Sequence, residues 1–96
     1  MTQQALVFAA PPPAVTQESD RWWTVGGAIC IAFVHLTAGW RFWPVRDTGE
    51  ELGDFGGLAE AVAAARAEIQ RDPARYAAEA ARRVRRGHRV GPEVRL

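Results

Sequence analysis

Lysine is absent from this chain: all twelve basic residues are arginine. Codon usage in a GC-rich genome accounts for such a bias before chemistry does. It still means that every cationic contact is a planar, permanently charged fork suited to carboxylate or phosphate. Cysteine is almost absent too. With Cys30 alone no intrachain disulfide can form, and a reducing compartment is implied. His35 and His88 are the only histidines, and with one cysteine they show no zinc-type ligand spacing. The acids Asp47, Glu50, Glu51 and Asp54 crowd one turn but lack the alternate positions and closing glutamate of a calcium loop. No metal or other cofactor is therefore expected.

A long hydrophobic run is also missing. The longest, Val25 to Gly39, is interrupted by His35 and three glycines, and a bilayer span needs about 20 apolar residues. The apolar stretch Ala5 to Ala10 has no basic residue ahead of it, as a secretory leader would. A cytoplasmic protein without a membrane partner is expected. Cys30 and His35 are the only nucleophile and base worth pairing, yet five residues apart on a strand they point to opposite faces. No catalytic residue is assigned, and the chain is not expected to be an enzyme.

What is present is a compact aromatic stretch. Trp22 to Arg71 contains all four tryptophans and three of the four phenylalanines. At 96 residues the chain holds one small domain, marginal enough to leave room for a homodimer or a tight partner. Residues 1–20, with Pro11, Pro12 and Pro13, read as a flexible proline-rich arm. Within it the triplet Leu6, Val7 and Phe8 either belongs to a disordered leader or packs back onto a sheet edge. Residues 21–87 form the domain and 88–96 a C-terminal tail broken by Gly91 and Pro92. Charge divides unequally: residues 1–57 carry three arginines against six acids, net −3, and residues 58–96 nine against five, net +4.

The expected fold class is α+β, a three- to four-stranded antiparallel meander over residues 21–53 packed on one amphipathic helix and followed by an arginine-rich second helix. Arg21 to Val25 supplies strand one, and Gly26 with Gly27 suits a two-residue hairpin. Ala28 to Thr37 alternates Ile29, Ile31, Phe33 and His35 against Cys30, Ala32, Val34 and Leu36, apolar on both faces and so central. Trp40 to Asp47 is strand three, where Pro44 argues for an edge, a bulge or an outward-pointing amide. Glu50 to Gly53 is a short fourth strand. Leu58, Val62, Ala65 and Ile69 recur at helical spacing and define a helix over 58–71 with Gly57 as its cap. Asp72 and Pro73 start a second helix, 73–86, with Tyr76, Ala80 and Val84 as a thin apolar stripe.

Two features suggest contact surfaces. The cluster Arg82, Arg83, Arg85, Arg86 and Arg89 serves the helix dipole and solubility, or engages a polyanion or an acidic protein surface. Trp22 and Trp23 must face opposite sides of one strand, as must Trp40 and Trp43. One helix covers one face, leaving the other to the second helix, the arm, another copy or a partner. The candidate binding residues are Trp23, Trp40, Trp43, Arg82, Arg83 and Arg86, since aromatics and arginine dominate binding hot spots.

The order of strands with Gly39, Trp40, Arg41 and Phe42, then Leu52 to Phe55, then Leu58 to Arg66, resembles the three-strand-plus-helix module of AP2-like and integrase arm-type DNA-binding domains. That resemblance implies a sheet reading a DNA groove. Here strand two lacks any basic residue, strand three offers only Arg41 and Arg46, and the acidic turn would repel phosphate. In type, the chain also resembles small phage and plasmid inhibitor proteins, including anti-CRISPRs. The expected function is a small non-catalytic interaction protein of a mobile element that binds and blocks a protein or protein–nucleic-acid machine. A small AP2-like DNA-binding regulator is the alternative.

Overall fold

The computed structural model describes residues 12–96, so the triplet Leu6, Val7 and Phe8 lies outside the described residues. The fold is α+β. Five strands, β1 (Val15–Ser19), β2 (Trp22–Val25), β3 (Ile29–Leu36), β4 (Gly39–Arg46) and β5 (Glu93–Val94), form one sheet in the order β4-β3-β2-β1-β5. Every pairing is antiparallel. Two helices, α1 (Leu58–Arg71) and α2 (Pro73–Arg85), complete it. Among the described residues no helix is long and apolar enough to cross a membrane.

The sheet reaches further than 21–53 in both directions. Val15–Ser19, expected within a flexible arm, pairs along β2, and the tail returns so that Val94 lies opposite Val15. Each addition is weak in hydrophobic pattern and depends on neighbours for its place. Arg66 of α1 donates from Nε to the Pro13 carbonyl at 3.0 Å and from Nη1 to the Leu96 carbonyl at 3.2 Å. A bulge at Glu18 aims that carboxylate at the tail, where it accepts from the Gly91 amide at 3.2 Å. Glu50 to Gly53 does not become a fourth full strand. It contributes one isolated bridge on the outer side of β4, Val45 to Glu51, and Phe55 beyond it makes a second to Phe42. Pro44 sits on this edge strand, and its carbonyl turns outward to accept from Leu52 at 3.0 Å. The amide it lacks would have pointed the same way, so the inner ladder loses nothing.

One turn differs from expectation with large effect. Val25 pairs with Ile29, so the loop between β2 and β3 is Gly26, Gly27 and Ala28, three residues rather than two. Gly26 and Gly27 both adopt positive φ, 60° and 68°, which a side chain would resist. Because strand faces alternate with period two, the extra residue exchanges the faces of the whole strand. Trp23 thereby lies opposite Ile31, and Trp22 opposite Ala32.

Helix α1 is alanine-rich, a strong helix-forming composition, and its inward stripe is Ala61, Val62, Ala65 and Ile69. The small alanines let it approach the face made by Val15, Trp23, Val25, Ile29 and Ile31, and these residues form the buried core. Each fully buried valine or isoleucine contributes about 1.5–3 kcal/mol before entropy is counted. Asp72 joins the helices directly, its Oδ1 accepting from the Arg75 amide at 3.3 Å with Pro73 opening α2. The inward stripe of α2 is Tyr76, Glu79, Ala80 and Arg83, whereas Val84 is 59% exposed. Polar residues enter that stripe because Arg46 meets Glu79 and Cys30 meets Arg83.

Candidate functional site

Helix α1 covers the sheet face that carries Ile29 and Ile31. The opposite face presents Trp22, Thr24, Cys30, Ala32, Val34, Arg41, Trp43 and Val45, since directly paired residues share a face. Ala32 pairs with Trp22 on one side and Trp43 on the other, so two indoles flank one small residue across three strands. Trp22 is 43% exposed. Trp43 is half-buried and donates from Nε1 to Glu51 at 2.8 Å, which fixes its ring at the outer rim.

Beside this row the C-terminal half of α2 passes the end of the sheet and closes a cleft of about 270 Å³. Trp22, Ala32, Trp43, Cys30 and Arg83 line it, together with Val45 and Arg46 at the end of β4 and the Asp47 carboxylate just beyond. Arg83 donates from Nη1 to Cys30 Sγ at 2.8 Å and its Nη2 lies 3.3 Å from His88 Nδ1. Its Nε is enclosed without a hydrogen-bond partner among the described residues. Arg83 thus contacts a thiol and an imidazole but no carboxylate among the described residues. Arg86, exposed, pairs with Asp47 at 3.0 Å.

The floor of the cleft at β4 is a buried charge network. Arg46 pairs with Glu50 at 2.6 Å and with Glu79 at 2.8 Å, and its guanidinium lies 5.2 Å from the Tyr76 ring centroid. The hydrogen bonds that Arg46 donates, first to Glu50 and then to Glu79, hold it protonated beyond its already high ordinary pKa, against the cost of burial. Burial first, and then its hydrogen bond to Glu68, push the Tyr76 hydroxyl up to about 12. The same hydrogen bond, with help from Arg71, holds the Glu68 carboxyl below its ordinary range.

The expected binding residues therefore separate. Trp43 and Arg83 meet at the cleft, and Arg86 reaches its rim through Asp47. Arg82 points to solvent. Trp23, expected as an anchor, is core: it is 8% exposed and packs its ring 5.6 Å from Phe42. Trp40 is 48% exposed but belongs to the other face, beyond the reach of α1. There it stacks on Phe33 at 5.2 Å, meets His35 edge-on and lies under Arg21 at 4.8 Å. Trp22 is the residue missed. Alternation placed it opposite Trp23, and only the length of the glycine loop decides which of the two looks outward.

The acidic turn is not a free patch. Asp47 pairs with Arg86, Glu50 with Arg46, Asp54 with Arg41 at 2.8 Å, and Glu51 accepts from Trp43. Cys30 and His35 lie on opposite faces, with His35 against Trp40. Among the described residues no group of three or more His, Cys, Asp or Glu side chains is placed to hold a metal. No family model, curated protein or solved structure matches the chain.

Proposed function

We propose that this chain is a non-catalytic interaction protein that binds and blocks a protein or nucleoprotein machine, docking through the sheet face that α1 leaves open. The observation that supports it is the pair Trp22 and Trp43 beside a cleft, neither indole having an aromatic partner among the described residues. Aromatic residues that keep exposed area on a face, with arginine beside them, are what binding hot spots use. Arg41, the cation that β4 places on that face, is already matched by Asp54. That face therefore suits a protein surface better than a row of phosphates.

The test is capture from lysate with and without nuclease. The full chain should retain its target after nuclease treatment, Trp22→Ala with Trp43→Ala should lose it, and Trp40→Ala should keep it. Equal capture by all three would overturn the assignment of this face.

A second reading, a small DNA-binding regulator, is supported by Arg82, Arg85 and Arg89, which have no carboxylate within ion-pair distance among the described residues. It requires binding to purified duplex that weakens steeply with salt. Absence of any gel shift at micromolar protein would remove it.

A further inference from the structure

We infer that three arginines at the C-terminal end of α2, Arg82, Arg85 and Arg89, hold the phosphate backbone of a nucleic-acid duplex without reading its bases. The inference is independent of the open-face reading above. It rests on the arginines of the second reading and replaces that reading's sequence recognition by backbone contact alone. Three observations carry it.

The first is unmatched charge. Residues 80–92 hold five arginines and no acid. Elsewhere the fold pairs its arginines: Arg41, Arg71, Arg75 and Arg86 at the surface, and Arg46 inside, all meet carboxylates. Arg82, Arg85 and Arg89 are exposed with no carboxylate within ion-pair distance among the described residues, and residues 1–11 contain no Asp or Glu. The acids in contact with this half of α2 are already engaged, Asp47 by Arg86 at 3.0 Å and Glu79 by Arg46 at 2.8 Å. Arg83 and Arg86 supply cations to the negative end of the helix dipole, so that role does not require the other three.

The second is placement. At about 1.5 Å of rise per residue, Arg82 and Arg85 stand about 4.5 Å apart along the helix axis. Successive charges of one nucleic-acid strand lie about 3.4 Å apart along the duplex. Arginine stems are long enough to take up the difference, so each fork meets a phosphate of its own. Gly87, with φ 95°, then turns the chain, and the His88 amide donates to the Arg83 carbonyl at 3.0 Å. Arg89 is thereby kept beside the helix end.

The third is what this strip lacks. From Ala80 to Gly87 there is no aromatic ring on which a base could stack and no Asn or Gln amide to pair with an adenine edge. Protein interfaces and membrane surfaces both use large aromatic or aliphatic anchors. Here the exposed large hydrophobics are only Val84 and Val90. Charge without anchors or readers suits phosphates. The whole chain, at net +1, has little general attraction for a polyanion, so binding reports the strip.

The experiment is fluorescence anisotropy of a labelled duplex titrated with the full chain. Affinity should fall about 40-fold between about 50 and 200 mM salt, the release of about three counterions. Replacing Arg82, Arg85 and Arg89 together by Gln should abolish that dependence, and each single replacement should lower the slope by about one. Arg71→Gln, which removes an exposed but paired cation, should leave it in place. Duplexes of A·T pairs only and of G·C pairs only should bind equally. The salt slope and the two duplexes decide the matter on the unaltered chain even if the triple variant fails to fold. No anisotropy change at about 50 mM salt with up to about 1 mM protein, or an unchanged slope in the folded triple variant, would overturn the strip. A preference of about tenfold or more between the two duplexes would overturn backbone-only contact and leave the second reading standing. Tighter binding of single-stranded oligothymidylate would overturn the duplex. Equal displacement by polyglutamate or by phosphatidylserine vesicles would overturn nucleic acid as the partner. Capture of a protein target through Trp22 and Trp43 is a separate measurement that none of these outcomes decides.

Discussion

Arg46 and Glu79 form an ion pair of 2.8 Å in which each side chain is only 5% exposed, joining the last residue of β4 to the middle of α2 across the edge of the core. Attraction within such a pair does little more than offset the desolvation of its members, whereas a lone survivor bears the whole cost. Arg46→Met should therefore destabilise by about 3–5 kcal/mol, Glu79→Leu by less because Glu50 still holds Arg46 at 2.6 Å, and the double replacement by clearly less than the sum. Urea unfolding of the two single variants and the double checks this. Additive losses would mean that the pair is not coupled in solution.

Tyr76 gives the stability curve a defined alkaline limb. Its hydroxyl, in a residue 1% exposed, titrates at about 12 when folded against 10.0 ordinarily. A group whose folded pKa is raised contributes stability that is complete below its unfolded pKa and lost as pH climbs to the folded one. The fold should lose about 2–3 kcal/mol between pH 10 and 12. The absence of lysine makes the test clean: Tyr76 is the only tyrosine, and no ammonium side chain titrates beside it. Urea midpoints for Tyr76→Phe should be flat across that window, while those of the unaltered chain fall.

Adjacent tryptophans should differ sharply on truncation. Trp23→Ala opens a cavity against Phe42 and Ile31 and should cost about 3–5 kcal/mol. Trp22→Ala removes a ring that is 43% exposed and should cost no more than about 1 kcal/mol. Thermal melts of both variants decide the point, and similar losses would place the two indoles in equivalent surroundings.

That contrast also shows where the sequence was informative. Helix α1 was legible to the residue, because a long stripe at 3.6 spacing runs from Leu58 to the stop and restart at Asp72–Pro73. The choice between Trp22 and Trp23 was not, since it depends on whether Ala28 counts as loop or strand. Alternation gives opposite faces either way, and only the β2–β3 register says which face meets α1. Val15–Ser19 was hidden for another reason. Its residues carry little apolar signal and become a strand by pairing with β2 on one side and, on the other, with the distant tail at Glu93 and Val94. Arg83 was visible as one of a cluster. Its seat on Cys30, 53 residues earlier, follows from how α2 crosses the sheet, which local pattern does not encode.

Gly91 should prove the least tolerant residue of the tail. A Cβ at this position would stand 2.1 Å from the Gln17 carbonyl oxygen, a backbone atom that cannot swing aside. The Gly91 amide meanwhile donates to Glu18, and the Gln17 amide donates to the Pro92 carbonyl at 2.9 Å. Gly91→Ala must therefore lift the tail from β1, breaking these bonds together with the Val15–Val94 pairing, and should cost about 2–3 kcal/mol. Hydrogen exchange locates the damage. The Gln17 amide should lose protection while the Ile31 amide, in the centre of the sheet, keeps it until global unfolding. Unchanged protection at Gln17 would mean that β5 does not pair in solution, and deletion of residues 91–96 would then leave stability unaltered.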